Sequence, residues 1–218
     1  MTRINYQNAL DGLEKEILKM GSLVEELISS SVTSLVKQDM ALAQKVVDQD
    51  DIIDALELEI EERILKLIAT QQPMAKDLRR IAAGFKIITD LERIGDNAVD
   101  IAKTTLRIGN EPLIKPLIDI PRMAEIAQQM LKEALDSYIN EDIVMAESLA
   151  AKDDVVDALH AQIIRELLTY MLENPKNIKQ GTHLMFVSRY LERIADHATN
   201  LGENVIYLVT AERKDLNE

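Results

Sequence analysis

Apolar residues recur along this chain at steps of three and four, the spacing of one face of a helix. Leu13, Ile17, Met20, Val24, Leu27, Ser31 and Leu35 make one narrow seam, and Val46, Ile53, Leu56, Ile60, Ile64 and Leu67 make a second. Ile87, Leu91, Ile94, Ala98 and Ile101 make a third. A seam through Ile120, Met123, Ala127, Met130, Ala134 and Tyr138 matches the first. Another through Leu184, Val187, Leu191, Ile194, Ala198 and Leu201 matches the third. Asp39 and Asp142 sit where each first helix gives way to the second, and both are expected to be N-caps that accept from otherwise unpaired amides. Pro73 and Pro175 mark the next breaks. Glycine (7), proline (5) and aromatic residues (3%) are sparse, while the good helix formers Ala, Leu, Ile, Glu, Lys and Met dominate. The expected fold class is all-α.

The chain repeats itself. Residues 50–56, DDIIDAL, return as DDVVDAL at 153–159; residues 91–98, LERIGDNA, return as LERIADHA at 191–198, with six of eight positions identical. The offsets, 103 and 100, imply that the later copy has lost three residues from a loop. Two ordered matches of this quality indicate a duplication. Three of the five prolines fall in residues 109–121, the connection between the copies. The expected domains are a first three-helix bundle over 1–108, a Pro-rich connection over 109–122, a second bundle over 123–214 and a tail over 215–218.

Charge narrows the function. The 38 acidic and 25 basic residues of the 218 give −13, which argues against nucleic-acid binding, because such proteins concentrate positive charge to release counterions. There is no cysteine, so disulfides, thiolate metal sites and cysteine nucleophiles are excluded. No apolar run approaches the roughly 20 residues of a membrane span, and the N-terminus has no signal-like apolar stretch, so the expected location is the cytoplasm, without direct membrane insertion.

At about 100° per residue, Asp50, Asp54, Glu57 and Glu61 form an acidic stripe beside the second seam. Glu92, Asp96 and Asp100 fall on the flank of the third helix. The pattern Asp/Glu-x-x-x-Asp occurs as Asp50/Asp54 and Glu92/Asp96, and again as Asp153/Asp157 and Glu192/Asp196. Like charges four apart on a helix repel, and either solvation or a bound cation resolves that. Carboxylates suit Mg²⁺, Ca²⁺ or Mn²⁺ and also serve iron and zinc. His160 replaces Glu57 in register, three residues after Asp157, and is a candidate ligand; His197, in place of Asn97, reads as a surface residue. A ferritin-like di-iron centre does not fit, because the acids point sideways and the first copy offers no histidine. There is no Gly-rich phosphate loop. Ser188 and residues 29–31 have no histidine at a supporting helical spacing and read as packing or solvated residues. Arg79, Arg80, Arg93 and Arg193 could contact an anion or an acidic partner, although surface ion pairs are the commoner use. The seam methionines read as core filler.

Tandem three-helix units, D-x-x-x-D on each second helix, and LERIGD or LERIAD on each third resemble the PhoU family of bacterial phosphate-transport regulators. Residues 4–210 carry the resemblance, and Gln72-Pro73 followed by Asp77-Leu78-Arg79 also fits it. The resemblance implies a non-enzymatic, cytoplasmic, often dimeric negative regulator. Its partners would be the ATP-binding subunit of the phosphate ABC transporter and a phosphate-sensing histidine kinase, both restrained when phosphate is plentiful. It further implies iron or zinc clusters held by Asp50, Asp54, Glu92 and Asp96, with Asp100 next along the stripe, and by Asp153, Asp157, Glu192 and Asp196. Asn200 in place of Asp100, and His160 in place of Glu57, leave the nuclearity and metal preference of the second site open. The alternative function is a metal-binding helical protein with storage or metal-dependent hydrolytic activity.

Overall fold

The computed structural model describes residues 3–216; residues 1, 2, 217 and 218, at the outer edges of the expected first bundle and tail, lie outside the described residues. Those described form helices and connections, with no strand among them. The first half contains α1 (Arg3–Lys37), the short α2 (Met40–Asp48), α3 (Asp50–Gln71) and α4 (Lys76–Ile108). The second contains α5 (Asp119–Asn140), the short α6 (Ile143–Glu147), α7 (Leu149–Glu173) and α8 (Ile178–Thr210), with a 3-10 turn at Pro175–Asn177 before α8.

The apolar seams are the core. Every residue of the first, third and fourth seams, and of the α8 seam, is buried, and of the second seam only Leu56 is partly exposed. Asp39 Oδ1 accepts from the amide of Leu42 at 2.9 Å and Asp142 Oδ1 from that of Met145 at 3.0 Å, so both caps form. The residue before each cap, Gln38 or Glu141, takes a left-handed conformation (φ 51° in both), which ends the helix and turns the chain.

Three expectations need correction. The second helix of each half is broken into a short and a long piece. Gln49 N–H turns back to the carbonyl of Val46, three residues earlier, a tightened turn that closes α2 before α3 begins. Ser148 does the same between α6 and α7. The connection expected to reach residue 122 ends at Ile118, because Pro121 lies in the first turn of α5, where a missing N–H costs no hydrogen bond. The tail expected over 215–218 is held to the second half at Leu216, which is buried and whose amide donates to Glu203 Oε1 at 2.9 Å.

Within the first half, α1, α2 and α3 all pack on α4; within the second, α5, α6 and α7 pack on α8. The halves meet where α4 lies along α8 and α1 along α5, and the buried side chains of both form one continuous apolar core. The long helices α3 and α7 are left on opposite flanks, one beside α4 and the other beside α8. Close approach of α1 to α5 requires Gly21, where a Cβ would stand 2.4 Å from Leu135 Cδ1.

Candidate functional site

Antiparallel packing of α3 on α4, and of α7 on α8, turns the sequence spacing into rungs. In the first half, Asp50 lies within electrostatic reach of Asp96 and Asp54, and Glu92 within reach of Asp96, Glu57 and Asp54. In the second, Asp153 lies within reach of Asp196, Asp157 and Glu192, and Glu192 within reach of Asp196 and Asp157. The two stripes of each half therefore face one furrow.

Desolvation dominates these furrows. Burial, reinforced by Asp96, pushes the Glu92 carboxyl up to about 7. Burial and then Asp196 push Asp153 up to about 7. Asp50, Glu57, Glu192 and Asp196 are raised as well, in each case chiefly by burial. Asp153 is 6% exposed, and its Oδ1 has no hydrogen-bond partner. Glu92 Oε2 is also buried without a hydrogen bond, although Arg93 Nε stands 3.3 Å away. Orphaned carboxylate oxygens are costly and call for a proton, a water or a cation.

The protein supplies some positive charge itself. In the first furrow Arg93 reaches Asp96 at 3.4 Å, and Lys103 stands 3.9 Å from both Asp50 and Asp100. Asp100 is thus tied to the mouth of the furrow through Lys103. In the second, Arg189 pairs with Glu192. Among the described residues no three acids or histidines converge closely enough to hold a metal ion as the side chains stand. The donor set is nonetheless suited to hard cations: carboxylates, half-buried, lacking sufficient counter-charge, with Asp54 and Asp157 exposed and able to turn inward.

His160 lies one rung further along α7 and is half-buried. Its Nδ1 is 3.0 Å from Ser188 Oγ on α8, and burial, then Arg189, lower its basicity. The tertiary fold thus gives Ser188 a histidine that no spacing within one helix could supply. Ser188 is fully buried and donates to the carbonyl of Met185, so it is closed to any substrate. His197 is not a surface residue: it sits between the halves with Nδ1 3.0 Å from Asp90 Oδ1, which Asn200 Nδ2 also approaches at 3.4 Å. Of the arginines, Arg79 donates to the carbonyl of Leu208 at 3.2 Å and Arg80 pairs with Glu14, so both brace the fold. Arg93 and Arg193 line a cavity of about 290 Å³ on the α4/α8 seam together with Asp96, Asn97, Asp100 and Lys103. Sequence reasoning left Arg189 and the Asp90–His197 pair unnoticed. Arg189 had a signal, since it stands two residues before the repeated motif where the first copy has the uncharged Thr89.

The duplicated helices and paired furrows have a counterpart in known proteins. Residues 17–105, and again 120–205, match the PhoU domain. The chain belongs to the PhoU family. It is 42% identical over 219 residues to the phosphate-specific transport system accessory protein PhoU homolog of Clostridium acetobutylicum, covering 100% of both chains. The Aquifex aeolicus homolog bearing the same name is 45% identical over 203 residues, covering 93% of this chain and 92% of that one. Among solved structures, PhoU from Pseudomonas aeruginosa superposes with a TM-score of 0.91 at 36% identity, over 95% of this chain and 100% of that one. The phosphate transport system regulatory protein PhoU from Streptococcus pneumoniae superposes at 0.90 with 28% identity, over 96% and 99%. The PhoU fold and its internal duplication are therefore those expected from the repeats.

Proposed function

We propose that this PhoU-family protein is a cytoplasmic regulator of inorganic phosphate uptake that works as an adaptor and not as an enzyme. The observation that carries this reading is its end-to-end similarity to the accessory protein of Clostridium acetobutylicum. The partners it implies are the ATP-binding subunit of the phosphate ABC transporter and a phosphate-sensing histidine kinase, with a second copy of the chain as dimer mate. An adaptor of this kind acts by binding one conformational state of each partner more tightly than another, which lowers both transport and starvation signalling when phosphate is plentiful. A net charge of −13 on a rigid helical body supports steering toward basic partner surfaces and away from nucleic acid.

The furrows are proposed as metal sites that stiffen this body. The first would use Asp50, Asp54, Glu92 and Asp96, with Asp100 at its mouth; the second would use Asp153, Asp157, His160, Glu192 and Asp196. Iron or zinc, or alternatively magnesium, manganese or calcium, would supply the positive charge that the buried carboxylates lack. The unpartnered oxygen of Asp153, and the buried Glu92 oxygen that has only Arg93 beside it, are the features that support the fit.

The test is affinity purification of the full chain with the transporter ATPase subunit and the kinase, beside elemental analysis of protein prepared without chelator. Both partners are expected to be retained, and retention is expected to weaken when the exposed acids Asp54 and Asp157 are changed to lysine. Failure to retain either partner would overturn the adaptor reading. Reversing Arg79 or Arg80 would not test docking, because both hold the fold together.

A further inference from the structure

Antiparallel packing of α4 on α8, with Arg79 beside Leu208 and Asp90 beside His197, puts duplicated positions at opposite ends of one seam. Arg93 and its counterpart Arg193 stand near the midpoint and line the same cavity. The two ends have diverged. On one side are Lys103, Arg107, Phe186 and Tyr190; their counterparts on the other are Glu203, Tyr207, Lys86 and Asp90. The first end is thus basic and aromatic in a chain whose net charge is −13. Phe186 is 52% exposed and stacks on Tyr190, with ring centroids 6.4 Å apart. Tyr190 in turn lies within electrostatic reach of Arg107 and Arg193, so both guanidinium groups stand beside the stack. The neighbouring cations are occupied: Arg93 reaches Asp96 at 3.4 Å, Lys103 is shared at 3.9 Å by Asp50 and Asp100, and Lys179 reaches Glu111 at 3.4 Å. Among the described residues Arg107 and Arg193 have no ion pair, and Arg193 feels Asp196 only at longer range. Exposed aromatic rings beside unpaired arginines are the composition of a protein-binding hot spot rather than of a solvated helix face.

We propose that this end of the α4/α8 seam binds an acidic segment of a partner protein, with an aromatic or aliphatic side chain seated on Phe186 and Tyr190 and carboxylates paired with Arg107 and Arg193. A guanidinium group suits a carboxylate because it offers two parallel N–H donors. Two competing occupants fit less well. A flat anionic membrane would bring its headgroups against the exposed acids Asp51 and Asp54 on α3 and Asp154 and Asp157 on α7, the helices that flank the seam. A compact anion such as inorganic phosphate has no use for the aromatic pair, and in the cavity at Arg93 and Arg193 it meets Asp96 and Asp100. A narrow chain lies between the flanking helices and keeps its carboxylates clear of those acids. This contact is separate from any that the protein makes through its acidic surface, and it holds whichever partner carries the segment.

The probe is the labelled peptide Glu-Glu-Phe-Glu-Glu-Phe-Glu-Glu, titrated with the full chain at low salt and followed by fluorescence anisotropy. Saturable binding is expected, weakened about fivefold or more by Arg107→Ala, by Phe186→Ala, and by replacing the peptide's glutamates with glutamine. Lys86→Ala, at the other end of the seam, is expected to change it by less than about twofold. All three substitutions put the best helix former at an exposed helix position, so the fold should be retained. Amide spectra of the wild type give a reading independent of any variant: the peptide should shift the signals of Phe186 and Tyr190 and leave those of Asp90 and Glu203 in place. Raising salt from about 20 to about 200 mM should weaken binding several-fold, whereas inorganic phosphate should do no more than chloride of equal ionic strength. Vesicles of phosphatidylglycerol should not sediment the protein. No saturable binding, equal binding of the glutamine peptide, or binding unchanged by Arg107→Ala and Phe186→Ala would overturn this assignment. Sedimentation with vesicles that is lost in Arg107→Ala would give the face to a membrane instead, and displacement of the peptide by phosphate beyond that by chloride would give it to a small anion.

Discussion

Asp153 and Glu92 show what a single carboxyl costs when it is buried beside others of its kind. Both are pushed up to about 7, from ordinary values near 4. A carboxyl that binds its proton more tightly in the folded state stabilises that state fully below its unfolded pKa, and the contribution is lost as pH rises through the folded pKa. In chelator, thermal stability should therefore fall as pH rises from about 4 to about 7 and then level off; a melting temperature that climbs across this window would contradict the assignment. Asp153→Asn removes the charge while keeping the shape, and at pH 8 in chelator it should raise stability by on the order of 2 kcal/mol, a rise of several degrees. The same change should weaken metal binding, so its effect on the melting temperature should reverse in saturating zinc. The residue types of the furrow were legible in the sequence, since Asp50/Asp54 and Glu92/Asp96 repeat as Asp153/Asp157 and Glu192/Asp196. Their burial was not, because whether an acid on the flank of a helix meets water or another acid depends on which helix lies beside it.

At the scale of elements, periodicity and capping residues gave the long helices almost entirely. Leu13 through Leu35 read as a seam because residues three and four apart share a face, and that face is buried. The caps are local chemistry and can be tested locally: Asp39→Ala and Asp142→Ala should each cost about 1 kcal/mol, measured by denaturant titration, since each leaves one amide at a helix start without its acceptor. Ala211 ends α8 in a left-handed conformation (φ 64°) that L side chains resist, so Ala211→Gly should add up to about 1 kcal/mol by the same measurement. The breaks at Gln49 and Ser148 escaped the pattern. Neither residue is a helix breaker, and the apolar positions keep their phase across the gap, so only the hydrogen bonding around them marks the turn.

The whole molecule is more fused than a tandem of bundles suggests. Buried positions on α4 cover several faces, with Ile88, Val99 and Ala102 in addition to the predicted seam, because this helix packs at once on its own half and on α8. Residues 1–118 expressed alone should therefore fail to form a cooperatively folding monomer, shown by the absence of a sharp thermal transition or by self-association in light scattering. A monomeric fragment with a sharp melt would show that the half is independent. At the other contact between halves, Gly21→Val would drive a side chain into Leu135 and should destabilise by about 1–3 kcal/mol, visible as a lowered denaturant midpoint.

By itself the sequence determined the helices, the duplication, the family and the kinds of side chain along each stripe, because these follow from spacing and local hydrogen bonding within a few residues. The tertiary structure alone decided which stripes face each other, that Asp153 is buried without a partner, that Ser188 meets His160, and that His197 closes on Asp90 between the halves. Those pairings join residues 28 to 107 positions apart. No periodicity within one helix encodes them; they arise only when the packing of apolar seams brings separate helices to a common line.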